Sequence, residues 1–273
     1  MELSYEDIKE CVPHDSLSRA ALDEFDSYFA GCDCGPLALC DDCNDCSCRK
    51  HTPLAYEADG RLRAEYLQPS TVLPPVMECG WTCGCKGRCL SRVVGRGSSL
   101  QLQAFPAAQK GIGLRTLLPI PSRSFVCQYV GEVISVEEAA RRSEKHRNDT
   151  YIFTAQEYFG NARRKTCVDA RKKGSLARFL NHSCDPNLAI VPVRLDVSVP
   201  RLCLFAKRDI MAGEELTVDY GRHEVDDGLS AAFSRKVCAC GSSNCGGFLP
   251  FEETLFDDSI DEKGSLVCTI EIQ

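Results

Sequence analysis

The 273-residue sequence holds one tryptophan, three methionines and five histidines, and several common features are missing from it. No apolar run approaches the ~18 residues of a membrane-spanning helix, so no membrane association is expected. The opening stretch MELSYEDIKEC has neither a basic n-region nor an apolar h-region, so no secretory signal is expected. Positive charge is in deficit: 32 Lys and Arg stand against 39 Asp and Glu, a formal charge of −7 with a pI near 5.4. That balance argues against strong nucleic-acid binding by phosphate neutralisation, while it suits a basic peptide. Also absent are βαβ alternation, a Gly-rich loop between a strand and a long helix, any internal repeat, and the C-x2-C…H-x3–5-H spacing of a zinc finger.

Cysteine is in excess, with nineteen residues. A disulfide framework is one reading. The missing secretory signal, the length and the tight spacing favour metal binding in a reducing compartment, because neighbouring cysteines chelate an ion more readily than they reach separate partners. One cluster is Cys32-x-Cys34-x5-Cys40-x2-Cys43-x2-Cys46-x-Cys48, and a second is Cys79-x3-Cys83-x-Cys85-x3-Cys89. Nine of these ten thiolates satisfy three tetrahedral zinc ions if three of them bridge, and Cys43, which interrupts the longer spacing, is the expected spare. Independent zinc modules are the alternative, but the spacing does not match them. A third group, Cys238-x-Cys240-x4-Cys245, lacks one ligand, for which Cys184 is the candidate. All four sites would be structural, since closed thiolate sites leave no open coordination position. Thirteen thiolates would add thirteen negative charges and four zinc ions eight positive ones, taking −7 to about −12. Such a surface attracts a Lys/Arg-rich peptide. Cys127 and Cys203 lie in strand-like runs and are expected in the core.

The chain divides into an acidic N-terminal segment (1–31), a cysteine-rich region (32–98), a β-rich region (99–221), a polar link (222–237), a last cysteine group (238–250) and an acidic tail (251–273). Leu17, Ala21, Phe25 and Tyr28 follow helical spacing after a cap at Asp15. Residues between the first two clusters read as an irregular loop, broken by Gly60, Pro69, Pro74 and Pro75. Beyond residue 99 come short β-like runs: LQLQAF, IGLRTLL, SFVCQYVGEVI, TYIFTA, LAIVPV, RLCLFA and ELTVDY. VEEAARRSEKHR (136–147) is the one sizeable helix expected, with a shorter one near SLARFL. The fold class is mostly β with short helices.

RFLNHSCDPN, at 178–187, is the most unusual segment. A Cys/His nucleophile site is one reading of it, but Cys184 has no activating context beyond the nearby His182. Together with YVGE at 129–132 and DYG at 219–221, this segment resembles the SET domain of protein-lysine methyltransferases. The flanking cysteine regions resemble the pre-SET and post-SET zinc regions of the histone H3 lysine-nine methyltransferase group. The resemblance covers about four fifths of the chain.

It implies a SET fold of β-clip type, pseudoknotted, with the NHSC strand threaded through a loop. It further implies S-adenosylmethionine as cofactor beside four zinc ions, three pre-SET and one post-SET. Lys110, Gly111, Ile112 and Gly113 fall on the family's Gly-x-Gly segment, where Ile112 replaces a usual tryptophan. Tyr151, Arg178, Phe179, Asn181 and His182 fall where the family surrounds the cofactor, and Phe248 where a post-SET residue closes over cofactor and lysine channel. Tyr220 is implied as the catalytic tyrosine and Tyr129 as a second channel tyrosine. Val218 stands where an aromatic limits the number of methyl groups, so di- or trimethylation is expected. The ligand set implied is Cys32, Cys34, Cys40, Cys46, Cys48, Cys79, Cys83, Cys85, Cys89, Cys184, Cys238, Cys240 and Cys245. The implied enzyme is a monomeric, nuclear and chromatin-associated histone methyltransferase whose partner is the H3 tail or nucleosome. A catalytically weak zinc-bearing chromatin module, or a methyltransferase of a non-histone protein, are the alternatives.

Overall fold

The computed structural model describes residues 4–35, 40, 46–50, 54–68, 75–146, 151–159, 162–221, 236–250 and 269–272. Cys43, Cys268, most of the 222–237 link and most of the acidic tail lie outside them. In chain order the elements are β1 (Glu6–Asp7), β2 (Val12–Pro13), α1 (Arg19–Asp26), α2 (Ser47–Lys50), β3 (Val76–Met77), β4 (Leu102–Ala107), β5 (Gly111–Thr116), β6 (Phe125–Tyr129), β7 (Glu132–Ile134), α3 (Val136–Lys145), β8 (Ile152–Phe159), β9 (Ala162–Asp169), β10 (Lys173–Gly174), β11 (Asn181–His182), β12 (Leu188–Arg194), β13 (Arg201–Ala206), β14 (Glu215–Val218) and β15 (Thr269–Ile272). Among the described residues no helix is long and apolar enough to cross a membrane.

The strands form sheets ordered β1-β10, β11-β14-β5-β4, β3-β12-β13-β6 and β15-β8-β9-β7-β2. Alternation along β13 explains how two cores share one strand. Leu202, Leu204 and Ala206 enter the main core with Leu114, Val126, Phe153, Leu188 and Leu216. Cys203 and Phe205 point the other way, onto Tyr56, Leu62 and Val76. The stretch between the first two cysteine clusters is therefore no passive loop. Its bridge Tyr56↔Leu62 and its 3-10 turn Ala64–Leu67 belong to or pack on that second core. Buried Glu78 fixes the next stretch by accepting from the backbone N–H groups of Val93, Val94 and Gly95 and from the Tyr56 hydroxyl.

Helix α3 starts where expected: the Ser135 hydroxyl accepts from Glu138 N–H, and Glu137 and Glu138 sit in the first turn. Its Arg142 donates to Glu132, Glu138 and Asp169 at 2.6–2.9 Å and meets His14 Nε2 at 3.0 Å, tying helix, sheet and N-terminal segment together. SLARFL gives a 3-10 turn at Leu176–Phe179 in place of an α-helix.

The N-terminal helix differs from expectation. It is capped by Ser18, whose hydroxyl accepts from Ala21 N–H, and Asp15 is not its cap. The reason is local: Leu17 N–H bonds to His14 O, and Ser16 engages the His14 ring, so residues 14–17 are consumed by a turn. Tyr28 lies beyond the helix, bridged to Val197. The segment ARRKTCVD carries too many charges to read as a strand, yet it forms β9, zipped in full register to β8. In the acidic tail, β15 pairs antiparallel with β8.

Candidate active site and metal centres

The Gly-x-Gly segment opens β5, directly after the β4–β5 hairpin turn. Ala107 pairs with Gly111 across a three-residue loop, and Gln109 within the loop and Gly111 at its end both have positive φ, +61° and +77°. Glycine at 111 is required by that backbone, and a Cβ there would meet nothing within 4 Å, so its backbone is open on one side. Gly113 is closely packed: a Cβ would lie 2.9 Å from Glu215 Oε1 and 3.0 Å from the Phe105 ring, so both side chains would have to shift. Ile112 between them is 39% exposed.

Residues 181–182 return to this hairpin through β14. Strand β11 runs parallel to it, with Asn181 beside Thr217 and His182 beside Val218. The Asn181 amide donates to Ile112 O at 3.3 Å and to Glu215 Oε1 at 3.0 Å, while Lys110 pairs with the second Glu215 oxygen. Glu215 therefore joins two predicted residues, Lys110 and Asn181, although no sequence signal distinguishes it from the neighbouring Glu214. Asn187, another residue without an assigned role in the sequence, is buried and locks β14 by donating to Glu214 Oε1 and Glu215 O and accepting from Thr217 N–H.

DYG follows β14. Tyr220 N–H donates to His182 Nδ1 at 3.1 Å, and the Tyr220 hydroxyl donates to Leu180 O at 2.7 Å. Tyr220 is thus held by its backbone and by its hydroxyl to the NHSC strand and its entry. Burial pushes its pKa above the ordinary tyrosine value, so it stays protonated at neutral pH. Tyr129, at the end of β6, is buried in the main core and donates to Tyr151 O at 2.7 Å; burial raises its pKa too. Val218 is 1% exposed and shares that core. Burial lowers the pKa of His182, so the ring is neutral and serves as acceptor for Tyr220 N–H.

Arg178, also buried, has its guanidinium carbon 4.4 Å from the Tyr151 ring centre and 5.3 Å from that of Phe179. One amino group donates to Arg171 O, but its Nε–H has no partner among the described residues. A buried donor left open in this way is costly unless a ligand completes it. Together with the open backbone at Gly111, it fits a small polar cofactor. Phe248 stands apart, half exposed and bridged to Val237.

The predicted thiolates gather as expected. Four groups have all sulfurs within 4.8 Å of one another: Cys32, Cys34, Cys40 and Cys46; Cys32, Cys48, Cys79 and Cys83; Cys32, Cys40, Cys79 and Cys85; and Cys184, Cys238, Cys240 and Cys245. Cys89 lies 3.7 Å from Cys85. Zinc–sulfur bonds of about 2.3 Å place tetrahedral sulfurs about 3.8 Å apart, so these sets fit zinc. Cys184 sits directly behind the NHSC strand, its sulfur 3.3 Å from His182 Nε2. Elsewhere Cys203 is fully buried in the core, whereas Cys127 is only partly buried. Burial lifts the Cys11 and Cys167 thiols to about 11 and Cys127 to about 12, leaving them protonated and inert.

Residues 111–221 match the family model for the SET domain. The chain is 38% identical over 252 residues to a probable histone-lysine N-methyltransferase, set-23, of Caenorhabditis briggsae, covering 91% of this chain and 97% of that one. It is 35% identical over 252 residues to the H3 lysine-9 specific histone-lysine N-methyltransferase of Schizosaccharomyces pombe, covering 85% of this chain and 50% of that one. Among solved structures, the methyltransferase domain of human SETMAR superposes with a TM-score of 0.75 at 35% identity, covering 91% and 90% of the two chains. KRYPTONITE in complex with mCHH DNA, an H3(1–15) peptide and SAH does so with a TM-score of 0.67 at 28% identity, covering 90% and 48%. The chain belongs to the SET-domain family of histone-lysine N-methyltransferases, enzymes that use S-adenosylmethionine.

Proposed function

We propose that this chain methylates a lysine of the histone H3 tail, adding two or three methyl groups, with Tyr220 as the catalytic tyrosine. The observation that carries the reading is the Tyr220 hydroxyl donating to Leu180 O. With its proton committed, the phenol oxygen keeps its lone pairs for a partner on the other side. S-adenosylmethionine supplies a methyl group on a sulfonium sulfur, activated for in-line displacement. Lys110, Gly111, Ile112, Gly113, Tyr151, Arg178, Phe179, Asn181 and His182 would border it, with Phe248 as cover. The substrate amine, whose reference pKa is about 10.4, must arrive neutral. An apolar channel made by Tyr129, Val218 and Tyr220 penalises the ammonium form by desolvation. Tyr220 then orients the amine, and positioning supplies most of the rate. The H3 peptide held by KRYPTONITE and the H3 lysine-9 specificity of the yeast relative support this substrate and, with it, a nuclear, chromatin-associated enzyme. A methylation assay across histone-tail peptides tests this; incorporation into no H3 peptide would sink it.

The thirteen thiolates hold four structural zinc ions in this reading. Cys32, Cys40 and Cys79, which recur among the pre-SET groups, are the bridging ligands, and Cys89 completes the third site. Metal analysis of purified protein is expected to give four zinc ions per chain; two or fewer, with free thiols making up the difference, would refute the model.

Product number follows from Val218. Valine brings neither the hydroxyl of a tyrosine nor its bulk, so a methylated amine keeps room to turn its lone pair toward the sulfonium. Val218→Tyr is expected to shift product toward monomethyl-lysine while sparing the first transfer. Monomethylated peptide alone from the wild-type enzyme, at full conversion with excess cofactor, would contradict this.

A further inference from the structure

Residues 4–14 lie ahead of both cysteine clusters, yet they are bound into the catalytic half. β1 pairs in parallel with β10, with Glu6 N–H on Lys172 O and Ile8 N–H on Gly174 O, both 2.8 Å. β2 pairs in parallel with β7, with Val12 N–H on Gly131 O at 3.1 Å and His14 N–H on Val133 O at 3.0 Å. These two attachments bring Tyr5 over the site. Its ring centre lies 4.2 Å from the Arg178 guanidinium carbon, closer than Tyr151 at 4.4 Å, and it meets Phe179 edge-on at 6.0 Å.

Arg178 is 5% exposed, and no carboxylate pairs with it among the described residues. A buried cation without a counter-ion is costly. Here the negative faces of three aromatic rings take the place of the missing anion, and such contacts strengthen when water is excluded. Tyr5 supplies the nearest of those faces from a separate segment of chain.

We propose that Tyr5 is a positioning residue for the cofactor site, acting through Arg178. The proposal rests on the reading that Arg178 and Tyr151 border S-adenosylmethionine. Without the Tyr5 ring the guanidinium samples other orientations, and the cofactor binds only the fraction of molecules in which Arg178 is in place. The role is one of affinity, since Tyr5 touches no reacting group.

The test uses the full chain loaded with zinc, and measures S-adenosylmethionine binding by calorimetry beside kcat at saturating cofactor. Tyr5→Ala is expected to raise the cofactor Kd five- to tenfold with kcat within about twofold. Tyr5→Phe, which keeps the ring, should bind within twofold of wild type, and Tyr5→Leu, which keeps apolar bulk without a π face, should bind as poorly as Tyr5→Ala. Arg178→Ala should weaken binding further, and adding Tyr5→Ala to it should change Kd by less than twofold. Normal affinity in Tyr5→Leu, or multiplicative losses in the double variant, would overturn the proposal while leaving the cofactor site standing. Unchanged affinity in Arg178→Ala would overturn the cofactor-site reading itself, and the role of Tyr5 with it.

Discussion

Tyr220→Phe is expected to lower kcat about a hundredfold, roughly 2.7 kcal/mol of barrier, with the S-adenosylmethionine Kd within about twofold of wild type. The substitution removes one oxygen and leaves the ring that packs on the main core. The backbone contact from Tyr220 N–H to His182 also survives, because it does not involve the side chain. What is lost is the oxygen held by Leu180 O and aimed by it. An interaction made chiefly in the transition state shows itself in kcat, whereas one that only binds shows itself in KM. Because burial raises the phenol's pKa and keeps it protonated well above neutral pH, no alkaline limb from its ionisation should appear in the wild-type profile below pH 9. Single-turnover rates within threefold of wild type would remove Tyr220 from the chemistry.

Cys245→Ser should cut activity below about one per cent of wild type while three zinc ions remain bound. Among the described residues the 236–250 loop has little besides a bound metal to hold it: Val237 and Phe248 are exposed, and its backbone and side-chain ties are few, among them Cys238 N–H to Gly247 O, Leu249 N–H to Lys236 O, Gly246 N–H to Cys184 Sγ and Asn244 to Cys184 O. Burial so slight does not offset the entropy of ordering a dozen or so residues, so zinc binding supplies the folding energy. Loss of one thiolate then releases the loop, including Phe248. It also leaves Cys184 without its metal, next to the His182 ring that receives Tyr220 N–H. The pre-SET cluster shares no ligand with this site and should keep its ions. Four zinc ions in the variant, or activity above a tenth of wild type, would refute the assignment.

Much of this was legible in the sequence because the signals are local. Thiolates at one- and three-residue spacing identify themselves, and so do the apolar runs that became β12 and β13. NHSC and DYG are adjacent only in space, yet each is distinctive by itself. What escaped depends on partners far along the chain. Glu215 is an unremarkable acid until Lys110 and Asn181 converge on it, and Arg142 is one of several helix cations until His14, Glu132 and Asp169 surround it. The charged run of β9 is a strand only because β8 pairs with it along its whole length. Tyr5 carried no signal at all, since the two-residue strand β1 that follows it lies below any periodicity.

The parallel pairings of β1 and β2 also bear on how the molecule is made. Glu6 and Val12 leave the ribosome long before their partners Lys173 and Glu132, and at ~5–20 residues per second that is an interval of roughly 6 to 33 seconds. Until then these residues have no edge to join, and the loops they must close span 167 residues (6 to 173) and 120 residues (12 to 132). Closing loops of that size is entropically costly before any contact rewards it, so this pairing comes late on the folding pathway. Residues 6–13, made before the strands they join, are among the parts completed last, and a nascent chain stalled between residues 134 and 173 has the β2 partner but not the β1 partner.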